Sequence, residues 1–254
     1  MLDYDGTVVA TEDRFGPPAS EILVEIRRLM DSGISIAFAT GRGGSIGEML
    51  RHSLPQSYHE QILVGYYNGA WIVPLSTDIR VAPPPEDAAI AEARRRLVSL
   101  DNFFHGHWVP KEAMLQLTIP RAKLVEEGRC VSWLYEGLAD LPLRILRSGH
   151  SVDVFPAWAS KRDVVGQIRK HFVIPEAQVL CIGDRGERFG NDHELLEGPF
   201  GVSVGEVCDR LDTCWNLTPE SSSGPAGLLL MLKALTVPLR GKAKMIAPVS
   251  LSLG

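Results

Sequence analysis

The first seven residues, Met1-Leu2-Asp3-Tyr4-Asp5-Gly6-Thr7, place two carboxylates two positions apart, between an apolar start and a glycine turn. In an extended segment, positions i and i+2 face the same way, so Asp3 and Asp5 converge on one point. Two like charges that close are costly unless a cation or a shared proton offsets them. The pair therefore suits a metal ion or a division into acid and base, although the same residues also suit a plain Asp-Gly turn. Three further stretches carry compatible groups: Thr40 in Ala39-Thr40-Gly41-Arg42, Lys161 in Ala159-Ser160-Lys161-Arg162, and Gly183-Asp184 with Asn191 and Asp192 beyond it. Carboxylates and carbonyl oxygens suit a hard cation such as Mg²⁺. A lysine and a metal together would neutralise a phosphate that a carboxylate must attack.

These groups need a frame that brings them together. Ile22, Leu23, Ile26, Leu29 and Met30 follow helical spacing, with Ser20 as a cap and Gly33 as a stop. Ile34 to Ala39 reads as a buried strand that runs into Thr40. Strand, helix, strand implies a parallel pair with a right-handed crossover. A short helix over 45–52, a strand over 62–67 and a hairpin at Asn68-Gly69 follow. The rhythm returns after Ser160, with a helix to about His171, strands over 178–182 and 200–204, a helix opening over 191–196 and a last helix over 224–235. In open parallel sheets, ligands bind at the carboxyl ends of the strands, where Asp3, Thr40 and Asp184 all fall.

Between these halves the pattern changes. Val81-Ala82-Pro83-Pro84-Pro85 is a stiff connection. From 86 to 155 the order is αββαββ, an α+β unit with an antiparallel sheet. The expected division is therefore a core of 1–80 and 157–236, an insertion of 81–156, and a tail of 237–254 without clear periodicity. The fold class is α/β, a Rossmann-like parallel-sheet core with an inserted α+β (αββαββ) cap domain.

Composition narrows the partners. The chain has 254 residues, 45% hydrophobic and 22% charged, with a net charge of -5. That balance is ordinary for a globular protein and argues against a generic nucleic-acid binder. The cysteines at 130, 181, 208 and 214 form no Cys-x-x-Cys pair, which reads as reduced thiols in a cytoplasmic protein, with Cys181 in the core. No apolar run reaches membrane-spanning length and no signal peptide is visible. Arg94-Arg95-Arg96 reads as a solvated helix face, and Trp133, Trp158 and Trp215 as packing residues. His105 and His107 share one strand face but lack a third ligand for a metal.

The ordered set of four stretches resembles the haloacid dehalogenase-like (HAD) superfamily, over roughly 1–235. The αββαββ insertion and Tyr67-Asn68-Gly69-Ala70 are similar to the Cof-type members, and to sucrose- and trehalose-phosphate phosphatases. The resemblance implies that Asp3 attacks phosphorus and becomes an aspartyl phosphate. It implies that Asp5 protonates the leaving oxygen, activates water and offers its carbonyl to Mg²⁺. Thr40, Gly41 and Lys161 would hold the phosphoryl oxygens, Asp184 would bind Mg²⁺, and Asp192 would support that shell. Asn191 would orient Asp192 or the phosphate side of the pocket. The implied activity is a Mg²⁺-dependent phosphatase acting on a small phosphorylated metabolite, with no nucleic-acid or membrane partner. A non-catalytic HAD-like module of a larger protein, or a phosphomutase, would share these features. The inserted unit would read the substrate, with Lys111, His107, Arg144 and Arg147 as candidate contacts.

Two departures from the pattern are visible. Members carry an apolar strand of about five residues before the nucleophile, but here only Met1 and Leu2 precede Asp3, so a short first strand and a clipped start are expected. The fourth stretch is extended by Arg185-Gly186-Glu187-Arg188-Phe189-Gly190, which leaves Glu187 as a possible substitute for Asp192.

Overall fold

The computed structural model describes residues 1–98, 107–110, 113–118, 124–147, 151–175, 178–188, 190–236 and 244–245. The chain begins with β1 (Leu2–Asp3), α1 (Ser20–Asp31), β2 (Ala37–Ala39), α2 (Gly44–Ser53), β3 (Leu63–Tyr66) and β4 (Trp71–Pro74). It continues with α3 (Ala88–Val98), β5 (His107–Pro110), β6 (Leu115–Thr118), α4 (Leu124–Gly137), β7 (Leu143–Arg147) and β8 (Ser151–Pro156). Then come α5 (Lys161–Phe172), β9 (Cys181–Arg185), α6 (His193–Leu196), β10 (Gly201–Glu206), β11 (Trp215–Asn216), α7 (Gly224–Ala234), β12 (Leu235–Thr236) and β13 (Lys244–Met245).

The main sheet has seven strands in the order β11-β10-β9-β1-β2-β3-β4. All its pairings are parallel except β3 with β4. Leu2 pairs with Phe38 on one side and Ile182 on the other, so Asp3, Thr40 and Asp184 leave the sheet at one edge. Side chains alternate across the sheet as a strand requires. Leu2, Phe38, Val64 and Ile182 pack with α1, α2 and α7, while Met1, Ala37, Leu63 and Cys181 pack with α5 and α6. Burying each such leucine or isoleucine contributes about 1.5–3 kcal/mol. The fold is mixed α/β with helices on both faces of a mostly parallel sheet, as the sequence pattern predicts.

β1 is short but central. The Met1 α-amino group donates to the Leu180 carbonyl at 2.9 Å, and Ile182 N–H donates to the Met1 carbonyl at 2.9 Å. Burial lowers the pKa of that amine. Below it lies a cavity of about 600 Å³, lined among others by Ile34, Ile36, Phe172, Leu180 and Leu232.

The second sheet is antiparallel in the order β5-β6-β8-β7. Ile90, Ala93 and Leu97 of α3 and Leu134 and Leu138 at and beyond the end of α4 pack against Ile145, Val152 and Val154. Met114 and Phe155 turn the other way, into the main hydrophobic cluster. Among the described residues no helix is long and apolar enough to cross a membrane. Two packing expectations fail: Trp158 is 60% and Trp215 47% exposed, whereas Trp133 packs partly buried under the second sheet. Apolar bulk alone does not reveal which side of an element a tryptophan takes. Arg94, Arg95 and Arg96 lie on an exposed to half-exposed helix face, where they form ion pairs with Glu86, Glu92 and Asp140. His105 and Lys111 lie outside the described residues, as do the side chains of His107 and Arg147.

Candidate active site

Asp3 ends β1 with a side chain 1% exposed. Gly6 shows why the loop after it can be so tight. It has φ +90°, and a Cβ there would lie 2.2 Å from Asp184 Oδ2. Only a glycine tolerates both the left-handed backbone and that approach.

Lys161 opens α5. Ser160 caps that helix, its hydroxyl accepting from Arg162 N–H at 3.0 Å. The Lys161 ammonium is 1% exposed and donates to Asp3 Oδ1 at 2.5 Å and to Asp192 Oδ1 at 2.6 Å. Asp192 is reached by a loop that leaves the sheet after Arg185 and returns. Its Oδ2 accepts from the backbone N–H of Asp184 at 3.0 Å and of Arg185 at 3.2 Å. Glu187, the sequence alternative, pairs with Arg185 at 2.5 Å and is not one of the three clustered carboxylates.

Asp3, Asp184 and Asp192 can each offer an oxygen within 4.8 Å of the others. Three carboxylates thus crowd around one ammonium. Burial, and then the neighbouring Asp192 carboxylate, push Asp3 up to about 8 and Asp184 up to about 9. Burial alone would lower Lys161, but Asp192 and Asp3 outweigh it and hold the ammonium above its ordinary range. Asp3 Oδ2 and Asp184 Oδ1 are buried without a hydrogen-bond partner. Orphaned carboxylate oxygens in an all-oxygen cluster fit a hard divalent cation.

Asp5 is placed differently. Its carboxylate stands outside the three-carboxylate cluster and accepts from Arg42 Nη1 at 3.1 Å and from the Thr40 hydroxyl at 3.3 Å. The metal expectation for Asp5 therefore rests on its carbonyl, not its side chain. Arg42 is anchored by Arg14 O at 2.5 Å and Ser45 Oγ at 3.2 Å, and it lies 5.3 Å from the Phe15 ring centroid. Arg42, adjacent to the Thr40-Gly41 stretch, is the kind of arginine expected to pair with a nearby carboxylate, and that carboxylate is Asp5. Asn191 sits beside Asp192 with its Oδ1 buried and unpartnered. Arg144, a candidate substrate contact, is tied to Glu194 at 3.0 Å and to Ala159 O at 3.2 Å. Gly41 lies beside Asn68, which sequence reading noted only as part of a motif. The Asn68 amide is 2% exposed, and neither its nitrogen nor its oxygen has a partner. A buried polar group left in that state costs about 1–3 kcal/mol.

The crowding makes stability depend on pH. Between about pH 4 and 8 the folded, cation-free protein holds protons on Asp3 and Asp184 that the unfolded chain has released. The folded state then binds more protons, so stability falls as pH rises through that window. In EDTA, Tm is expected to drop by several degrees from pH 5.5 to 8.5, and excess Mg²⁺ to flatten the fall. A Tm that climbs with pH in EDTA would sink the charge-crowding account.

No protein-family profile and no curated protein matches the chain. Solved structures do. The trehalose-6-phosphate phosphatase C-terminal domain of C. albicans aligns with TM-score 0.63 and 15% identity, over 91% of this chain and 89% of that one. A phosphatase of the haloalkanoate (HAD) enzyme superfamily from Bacteroides thetaiotaomicron gives TM-score 0.57 and 20% identity, over 83% and 85%. The sucrose-phosphatase of Synechocystis, solved with sucrose and phosphate, gives 0.53 and 21%, over 76% of each chain. The chain therefore has the fold of these HAD phosphatases, in agreement with the resemblance read from its motifs.

Proposed function

We propose that the chain hydrolyses phosphomonoesters of a small phosphorylated metabolite of the sugar-phosphate class through an aspartyl phosphate on Asp3. The observation that carries this reading is the asymmetry of the two carboxylates. Asp3 has one oxygen held by Lys161 and the other buried and unpartnered, while Asp5 is held separately by Arg42 and Thr40. One is suited to attack and the other to proton transfer. The fold shared with phosphatases of trehalose 6-phosphate and sucrose phosphate supports the substrate class.

In the first step an Asp3 carboxylate oxygen forms a bond to phosphorus as the ester P–O bond breaks, and Asp5 gives its proton to the leaving oxygen. In the second, water attacks phosphorus and Asp5 takes its proton. The Asp3–phosphorus bond breaks, releasing phosphate and restoring the carboxylate. Thr40, Gly41 and Lys161 hold phosphoryl oxygens, and Asn191 orients Asp192 or the phosphate side of the pocket. A Mg²⁺ held by Asp3, Asp184 and the Asp5 carbonyl, with Asp192 in support, would supply positive charge against the phosphoryl anion. The unit over 81–156 acts as a cap that excludes water. The proposed location is the cytoplasm, where the thiols of Cys181, Cys208 and Cys214 would stay reduced.

The test is turnover of p-nitrophenyl phosphate by the wild type, which must depend on Mg²⁺; no turnover would overturn the reading. Asp5→Asn separates the two steps. An alkyl phosphate needs a proton on its leaving oxygen, whereas p-nitrophenolate leaves without one. The variant is expected to lose alkyl phosphate hydrolysis by on the order of a hundredfold or more. With p-nitrophenyl phosphate it should give a burst approaching one product per chain, then a slow steady state. Equal losses on both esters without a burst would remove Asp5 from the acid role.

A further inference from the structure

Two polar links join the start of α5 to the start of α6. The inner one is the Lys161 ammonium, held between Asp3 and Asp192. The outer one joins the residue before Lys161 to the second residue of α6. There the Ser160 hydroxyl donates to Glu194 Oε2 at 2.5 Å. A hydroxyl has one proton to give, and Ser160 gives it to Glu194 while accepting from Arg162 N–H. The backbone at Ser160 is pinned from the other side. A Cβ on Gly69 would stand 2.1 Å from Ser160 O, so only a bare glycine lets the turn over 67–69 close on that point.

The outer link is gripped from the other sheet. Arg144 on β7 holds Glu194 with both terminal nitrogens, Nη1 on Oε2 at 3.0 Å and Nη2 on Oε1. Nη1 also donates to Ala159 O at 3.2 Å, and the guanidinium carbon lies 5.5 Å from the Phe155 ring centroid. Phe155 and Ala159 are both buried. The Arg144 and Glu194 side chains are 27% and 37% exposed, so the pair is neither free in solvent nor sealed in the core. A planar fork on a carboxylate fixes direction as well as distance, which an apolar contact does not. The contacts that Met114 and Phe155 make with the main cluster are of the apolar kind.

We propose that Arg144 and Glu194 are positioning residues that make the seating of the unit over 81–156 a condition for the alignment of Lys161. The inference rests on the phosphatase reading above for what Lys161 is aligned to do. With the unit seated, Arg144 holds Glu194 against Ser160, and the helix starts that carry Lys161 and Asp192 are locked together. With the unit lifted, Arg144 leaves with β7, and Glu194 holds Ser160 without the fork that fixes its direction. Asp192, two residues before Glu194, also accepts from the backbone N–H groups of Asp184 and Arg185. A loosened α6 start therefore reaches the carboxylate cluster as well as Lys161. The phosphoryl chemistry then waits until the site is covered.

The experiment takes Arg144→Gln, Glu194→Gln and the double variant through two readouts. The first is steady-state hydrolysis of p-nitrophenyl phosphate with Mg²⁺. Each single variant is expected to lower kcat about tenfold with KM held within about twofold, because the ester still binds but Lys161 is misaligned. The double variant should be no worse than either single one, since both substitutions remove the same contact. The second readout is hydrogen exchange in EDTA at the backbone N–H groups of Asp184 and Arg185, far from Arg144 in the chain. Their exchange should quicken at least about tenfold in Arg144→Gln, while exchange in α1 stays within about twofold of the wild type. An unchanged kcat, additive losses in the double variant, or exchange that quickens equally in α1 would overturn the proposal. Quickened exchange at Asp184 and Arg185 in a protein whose wild type hydrolyses no phosphomonoester would instead overturn the hydrolytic reading and leave this coupling standing. Mg²⁺-dependent hydrolysis by the wild type with unchanged exchange in Arg144→Gln would do the reverse.

Discussion

Asp3→Asn is expected to lower kcat for any phosphomonoester by on the order of a thousandfold or more, because it removes the atom that bonds to phosphorus. The substitution is nearly isosteric, and the amide oxygen still accepts from Lys161. Folding should therefore survive, and the cation-free protein should gain stability. Asp3 is held protonated up to about 8 by burial and by Asp192, so a neutral side chain there relieves repulsion with Asp192 and Asp184. The paired outcome is the diagnostic: near-zero turnover together with a Tm in EDTA at pH 8 at or above that of the wild type. Measured by steady-state kinetics and thermal melts, unchanged turnover would exclude Asp3 as the nucleophile. A collapse of both turnover and Tm would make its role structural.

The layered α/β core was legible because the helix spacing at Ile22, Ile26 and Leu29 and the strand ends at Asp3, Thr40 and Asp184 are local signals. The expected strand over 34–39 shrinks to Ala37–Ala39, and that over 178–182 shifts to Cys181–Arg185. A ladder needs a partner, and β1, which lies between them, begins only at Leu2. Apolar runs report burial, not pairing, so this contraction was invisible. The two-residue β11 has no pattern to read. The site divides in the same way. Its carboxylates and lysine lie in recognisable stretches, but the excursion between Asp184 and Asp192 closes through backbone N–H groups, which carry no sequence signal. The hold of Arg42 on Asp5 and that of Arg144 on Glu194 join residues distant in the chain. Nothing in one sequence without its fold could pair them.

The largest effect on stability is expected at Lys161. Lys161→Met leaves the buried Asp3 and Asp192, with Asp184 beside them, without the ammonium that bridges the first two. Breaking a buried pair by removing one partner costs about 3–5 kcal/mol. For a chain of this size that is a Tm lower by roughly 10 °C or more, in EDTA at pH 8. The deficit should shrink on acidification. Asp3 and Asp184 already titrate near 8 and 9 with the ammonium present, and its loss pushes them higher still. The folded variant then takes up protons that the unfolded chain holds only below about pH 4, so falling pH favours the folded form. A second substitution tests the cause. Lys161→Met with Asp192→Asn removes one of the stranded charges, and it should be more stable at pH 8 than Lys161→Met alone, although two native groups are gone. Additive losses in that double-mutant cycle would mean that Lys161 acts through packing of its stem and not through its charge. Non-additivity that vanishes at pH 5 is what an ammonium held between carboxylates requires.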